Sequence, residues 1–365
     1  MKIEHGGNVD ALAMQLGYNR EDCIDFSANI NPFGVSKALR QAIIESIDAL
    51  VHYPDIHYRA AKNAIATYHQ LPAETVLLSN GAVEIFYELA RFFKPKQVLT
   101  LSPTFMEYEK AFSQVGAKIK LCPLDSSYQW TFDSIMPYLS MLTSGDVVLI
   151  CNPNNPTGTL VTSEELKKVA NYLSDKNIYL VIDEAFVDFL MDEVQYTFVP
   201  FLKEYPHVIV VKSLTKFYAI PGLRLGYALT FLTSCLTDID NKRAPWSINT
   251  LADRAVPVIL KDINYQKQTK QWLHQEKEFL YNALVSFHQL DVVKPTVNYI
   301  FFTYLGELDL RKALWEKKVF IRSCQNYHGL TTQHYRVAVR TRKENEQLIK
   351  AIQEIFDNEV IHEKC

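Results

Sequence analysis

Three polar motifs, each following an apolar run, bring together an amide, a carboxylate and an amine. Asn152-Pro153-Asn154-Asn155-Pro156-Thr157-Gly158 follows Val147 to Cys151, and Asp183-Glu184-Ala185-Phe186 follows Ile178 to Ile182. Ser213-Leu214-Thr215-Lys216 follows Val208 to Val211, with Arg224 eight residues beyond the lysine. A fourth segment, Gly81-Ala82-Val83, comes after the strand-like Val76 to Ser79 and opens a helical pattern. Singly, each has a plain reading: Asn/Pro/Gly clusters make turns, acids after strands cap helices, and lysines face solvent. In order at successive strand ends, the combination is specific.

The chemistry these types can do together is that of a pyridoxal 5′-phosphate (PLP) site. Such a site needs an amine for a Schiff base, a carboxylate to keep the pyridine nitrogen protonated, and a donor for the ring's phenolate oxygen. It also needs amides, hydroxyls and a guanidinium for the dianionic phosphate. Lys216, Asp183 and Asn155 fit the first three roles. Ser213, Arg224 and the amides of Ala82 and Val83 fit the phosphate.

The elements that must position them are those of an α/β fold. The runs Val98 to Leu101, Val147 to Cys151, Ile178 to Ile182 and Val208 to Val211 are apolar on consecutive residues, as in strands covered on both faces. Leu166, Val169, Ala170 and Leu173 mark a helix, with Thr162 and Glu165 expected as its capping box. Strands alternating with helices predict a mostly parallel, doubly wound sheet, whose ligands bind beyond the carboxyl ends of the strands. After about residue 245 the pattern becomes α+β: a helix over Trp272 to Leu290, strand character over Val292 to Phe302 and Tyr335 to Val339, and a last helix capped by Thr341 and Glu344. The expected division is an irregular arm over residues 1–45, a large PLP-binding domain over 46–245 and a small C-terminal domain over 246–365.

Composition excludes several classes. The net charge of −3 is wrong for a nucleic-acid binder. No apolar run approaches the roughly 20 residues of a membrane helix, and the start lacks a signal core. Six scattered cysteines suit neither a disulfide framework nor a metal site. A cytoplasmic protein with reduced thiols is expected, with no metal, no nucleic acid and no membrane partner. A PLP-fold regulator fused to a DNA-binding domain is disfavoured, since no extra domain precedes the arm.

In PLP chemistry the bond to Cα that stands perpendicular to the ring is broken, so the groups that clamp the substrate choose the reaction. Arg322, after Val319-Phe320-Ile321, and Arg336, in Tyr335-Arg336-Val337-Ala338-Val339, are candidate clamps. Two guanidinium forks suit a substrate with both a carboxylate and a phosphate.

The order and spacing resemble the fold-type-I aminotransferase superfamily. Within it, His5-Gly6-Gly7-Asn8, Asp25 through Pro32, Asp183 through Phe189, Ser213 through Gly226, Pro245-Trp246-Ser247, Ile321 through Cys324 with Asn326-Tyr327, and Tyr335 through Ala338 resemble the threonine-phosphate decarboxylase family along almost the whole chain. The resemblance implies that Phe105 stacks on the cofactor ring. It also implies that Tyr53 reaches the phosphate of a neighbouring subunit's cofactor, and hence a homodimer. Arg322, Arg336, Asn29 and Asn155, with His5 nearby, would contact a small phosphorylated amino-acid substrate, either arginine taking either anion. The implied reaction is decarboxylation of O-phospho-L-threonine to (R)-1-amino-2-propanol O-2-phosphate in cobalamin biosynthesis, with Lys216 returning a proton to Cα. The alternatives are a histidinol-phosphate or related aminotransferase and a phosphoserine decarboxylase. Phe186 favours a decarboxylase, because most aminotransferases of the superfamily carry there a tyrosine that donates to the phenolate oxygen. One departure stands out: Gly81-Ala82-Val83-Glu84 replaces the family's Gly-Glu-Thr-Glu, removing a hydroxyl from the phosphate cup.

Overall fold

The computed structural model describes residues 6–362. A seven-stranded sheet organises most of it, in the spatial order Val76–Ser79, Gly226–Leu229, Val208–Ser213, Tyr179–Asp183, Val147–Cys151, Gln97–Ser102, Lys118–Pro123. Gly226–Leu229 is antiparallel to both its neighbours, and every other pairing is parallel. The three central strands are buried along nearly their whole length, because helices cover both faces; hence their unbroken apolar runs. The chain winds outward in one direction through Gln97–Ser102 and Lys118–Pro123, and in the other through Tyr179–Asp183 and Val208–Ser213. The crevice where the direction switches opens beside Val147–Cys151, at the carboxyl ends of the strands.

A second sheet of four antiparallel strands follows the order Arg322–Ser323, His334–Ala338, Tyr299–Tyr304, Leu290–Val292. The last helix, Arg342–His362, begins with the expected capping box. Thr341 N–H donates to Glu344 Oε2 at 3.1 Å, and Glu344 N–H donates to Thr341 Oγ1 at 3.4 Å.

Three local expectations are corrected. Thr162 occupies the N-cap of Ser163–Ser174 without a side-chain bond; Glu165 instead accepts from Phe132 N–H at 2.7 Å and pairs with Lys168. The helix expected from Trp272 runs over Ile263–Val285, starting where Asp262 accepts from Tyr265 N–H. The strand character of residues 292–302 belongs to two strands, Leu290–Val292 and Tyr299–Tyr304. The described part of the N-terminal arm holds the helices Val9–Leu16 and Lys37–Glu45 and a two-residue strand, Ile24–Asp25, which pairs in parallel with Val319–Phe320.

No helix among the described residues is long and apolar enough to cross a membrane. The five described cysteines are free and buried.

Candidate active site

The polar motifs at the strand ends converge on one cavity of about 680 Å³. Ala82, Val83, Phe105, Asn155, Asp183, Lys216 and Arg224 line it from the large sheet's side. Arg322 and Arg336 enter from the four-stranded sheet, and Gly6, Gly7, Asp25 and Asn29 close it from the N-terminal segment.

Lys216 sits three residues past its strand, where its Nζ donates to Ser213 Oγ at 3.4 Å. Burial, with Arg224 and Arg336 adding repulsion, pushes its pKa down to about 8 despite the Asp183 carboxylate. A buried lysine depressed this far offers a neutral amine near neutral pH, as imine formation requires. The Phe186 ring centroid lies 6.0 Å from Nζ, and its edge-to-face partner is Tyr299.

Asp183 ends its strand, so its carboxylate projects into the cavity floor. Burial pushes its pKa up; Tyr108, the Ala185 N–H and Lys216 oppose that shift. Tyr108 Oη donates to Oδ2 at 2.5 Å and Ala185 N–H to Oδ1 at 2.9 Å. A cationic ring nitrogen is the group such a carboxylate is suited to hold.

Asn155 is fixed by two donors on one oxygen: Arg336 Nη1 at 2.5 Å and Tyr327 Oη at 3.2 Å both reach Oδ1. Its NH2 is therefore the part left to face a ligand, and it matches a phenolate oxygen. Arg336 Nη2 donates to Ser27 O at 3.1 Å, while its buried Nε has no partner. Asn29 is also buried, and its Oδ1 has no hydrogen-bond partner.

At the phosphate end, the helix Ala82–Phe93 begins at Gly81 without a side-chain cap. Its first amides, those of Ala82 and Val83, are open donors at a positive helix end. Gly81 has φ +93, and a Cβ there would meet Arg224 Nη2 at 2.5 Å. A Cβ on Gly226 would meet Ala82 N at 2.3 Å. Two glycines thus let a guanidinium and a strand close onto the helix start. These open amides, the free amide of Asn155 and the depressed Lys216 fit PLP.

Two expected site residues lie apart from the cavity lining. Ser213 is buried beneath Lys216, its Oγ 2.8 Å from Thr215 Oγ1. Tyr53 is 77% exposed and stacks on Trp246 at 4.3 Å, outside this chain's cavity. His5 lies outside the described residues. Conversely, Tyr108 and Tyr327 have contacts here that nothing in the sequence pattern assigned. Tyr108, three residues past Phe105 at a helix start, was open to inference once Phe105 was suspected. Tyr327 has no such local mark.

The description "Aminotransferase class I and II" matches residues 21–352. A threonine-phosphate decarboxylase of Salmonella typhimurium is 38% identical, with 96% of each chain covered. A histidinol-phosphate aminotransferase from Clostridium acetobutylicum superposes with a TM-score of 0.86 at 30% identity, covering 91% of this chain and 99% of its own. A histidinol-phosphate aminotransferase from Sinorhizobium meliloti, solved in complex with pyridoxal-5′-phosphate, has the same fold, with a TM-score of 0.83 at 17% identity over 96% of this chain and 94% of its own. The chain belongs to the class I and II aminotransferase family and is a pyridoxal-phosphate-dependent enzyme of fold type I.

Proposed function

We propose that this enzyme decarboxylates O-phospho-L-threonine to (R)-1-amino-2-propanol O-2-phosphate in cobalamin biosynthesis, a reading supported by relatives named threonine-phosphate decarboxylase and adenosylcobalamin biosynthesis bifunctional protein. One observation carries the reading. Arg322 and Arg336 stand directly opposite each other on neighbouring strands, both buried and both lining the cavity. Like charges in that position repel, and burial adds a desolvation cost; both act to lower the Arg322 pKa. A ligand carrying two anions relieves both penalties, and phosphothreonine brings a carboxylate and a phosphate.

When bound, PLP supplies a conjugated electron sink for the bond broken at Cα. Arg336, joined to the amide of Asn155 that would face the cofactor, takes the carboxylate and orients it. Arg322, with Asn29, takes the phosphate. Asp183 would hold the proton on the pyridine nitrogen, supported by Tyr108. Ala82, Val83 and Arg224 would hold the cofactor phosphate, with Ser213 beside Lys216, and Phe105 would lie against the ring. Lys216 would anchor the cofactor, and its amine is placed to deliver a proton to Cα once CO2 has left. In our reading the chain divides into an arm (1–45), a large domain (46–245) and a small domain (246–365), so that the residues for the cofactor belong to the large domain and the arginine clamps to the small one. The exposed Tyr53 completes a neighbouring site in a homodimer.

Incubation of the holoenzyme with O-phospho-L-threonine tests the reaction. CO2 release without any 2-oxo acid is the expected result. Glutamate formation from 2-oxoglutarate and histidinol phosphate, without CO2 release, would contradict it.

A further inference from the structure

Tyr327 lines the cavity yet has no part in the steps above. It follows the Arg322–Ser323 strand in a tight turn: its N–H donates to Cys324 O at 3.0 Å, and its carbonyl accepts from Leu330 N–H at 3.1 Å. The turn brings the phenol among three polar groups of the cavity wall. Its hydroxyl donates to Asn155 Oδ1 at 3.2 Å. Arg322 is hydrogen-bonded to it, with the guanidinium carbon 5.8 Å from the ring centroid. Arg336 Nη1 reaches the same Asn155 oxygen at 2.5 Å. All four side chains are buried, where such bonds are strong and mutually polarising.

The chemistry sets the direction of each bond. A phenol whose single proton goes to Asn155 can only accept from Arg322. Burial raises the Tyr327 pKa above the ordinary phenol value, so the donor proton persists at working pH. The chain therefore runs guanidinium to phenol to amide oxygen, and the amide's NH2 faces the cavity.

We infer that Tyr327 is a positioning residue that joins Arg322 to the cofactor-facing amide of Asn155. The inference rests on the arginine pair being an anion site, but not on which bond at Cα is broken. Removing the hydroxyl leaves Arg336 as the amide's single fixed donor and takes from Arg322 one of the acceptors that orient it, the other being Asn326 Oδ1 at 2.8 Å.

Tyr327→Phe in the holoenzyme tests this, since it keeps the ring packed among Phe301, Cys324 and Met106 and removes only the O–H. Two readouts need no turnover. The first is the pH midpoint of the bound cofactor's absorbance. It should rise by about half to one pH unit, because a looser Asn155 is a poorer donor to the phenolate oxygen. The second is titration with inorganic phosphate, followed by the same absorbance. The dissociation constant should rise about three- to tenfold. A variant with an unchanged midpoint and unchanged phosphate affinity overturns the inference and leaves Tyr327 as packing alone. A wild-type holoenzyme blind to phosphate overturns the anion site itself, and the inference with it.

Discussion

At the scale of single residues, the site depends on buried ionisable groups held away from their ordinary pKa values. Lys216, at about 8, sets the first prediction. The reactive form is the neutral amine, so reloading of the cofactor-free enzyme with PLP should accelerate as pH rises through about 8, well below the 10.5 of an ordinary lysine. Stopped-flow absorbance across pH 6 to 10, treated as a range of roughly two units either side of that midpoint, reads it directly. Lys216→Ala should lose the bound-cofactor absorbance band and at least about 10²–10⁴-fold in turnover, the usual worth of a positioned proton donor. Tyr108→Phe removes a donor from Asp183, so that carboxyl should titrate still higher. A carboxyl with a raised pKa loses its charge as pH falls, so cofactor affinity should drop most on the acid side, by up to about tenfold for one hydrogen bond. Equilibrium dialysis at two pH values measures it. Lys216, Asp183, Asn155 and Arg224 were legible in the sequence, because each follows or lies near an unbroken apolar run that marks a central strand. Tyr327 was not, since its partner Asn155 lies 172 residues away, and Tyr108, 75 residues from Asp183, was within reach only through its spacing from Phe105. No local pattern encodes contacts that distant.

At the scale of elements, strand ends and a helix start place the chemistry, and two glycines make the close approach possible. Gly226→Ala would drive a Cβ into the Ala82 backbone, which cannot step aside. It should lower the melting temperature as well as cofactor affinity, by an amount like other severe backbone clashes, about 1–3 kcal/mol. Gly81→Ala meets the flexible end of Arg224 instead. It should cost cofactor affinity more than stability, although its φ of +93 adds strain. Thermal melts with and without PLP separate the two effects. The central strands and the final helix were readable from consecutive apolar residues and from the Thr341–Glu344 cap. The strand Ile24–Asp25 was not: two residues are too few for periodicity, and its partner is Val319–Phe320. Thr162 and Glu165 show the converse failure. A sequence fit for a capping box forms none, because Glu165 has better partners in Phe132 N–H and Lys168.

At the scale of the whole molecule, two sheets meet over one cavity, one bringing the residues we propose for the cofactor and the other the paired arginines. The surface around Tyr53 is apolar, with Ile44, Ile47, Leu50, Val51 and Trp246 exposed on the single chain. If Tyr53 serves a neighbouring subunit, sedimentation should show a dimer. Mixing Tyr53→Ala chains with Lys216→Ala chains should then restore activity that neither has alone, and no restoration would remove Tyr53 from the site. The central claim is that Lys216 serves a decarboxylation, returning the proton to Cα. Its most direct test is turnover of carboxyl-labelled O-phospho-L-threonine in D2O without a 2-oxo acid. Release of one labelled CO2 for each aminopropanol phosphate, with one deuterium on the former Cα, is the predicted result. Label retained in a 2-oxo acid product would contradict it.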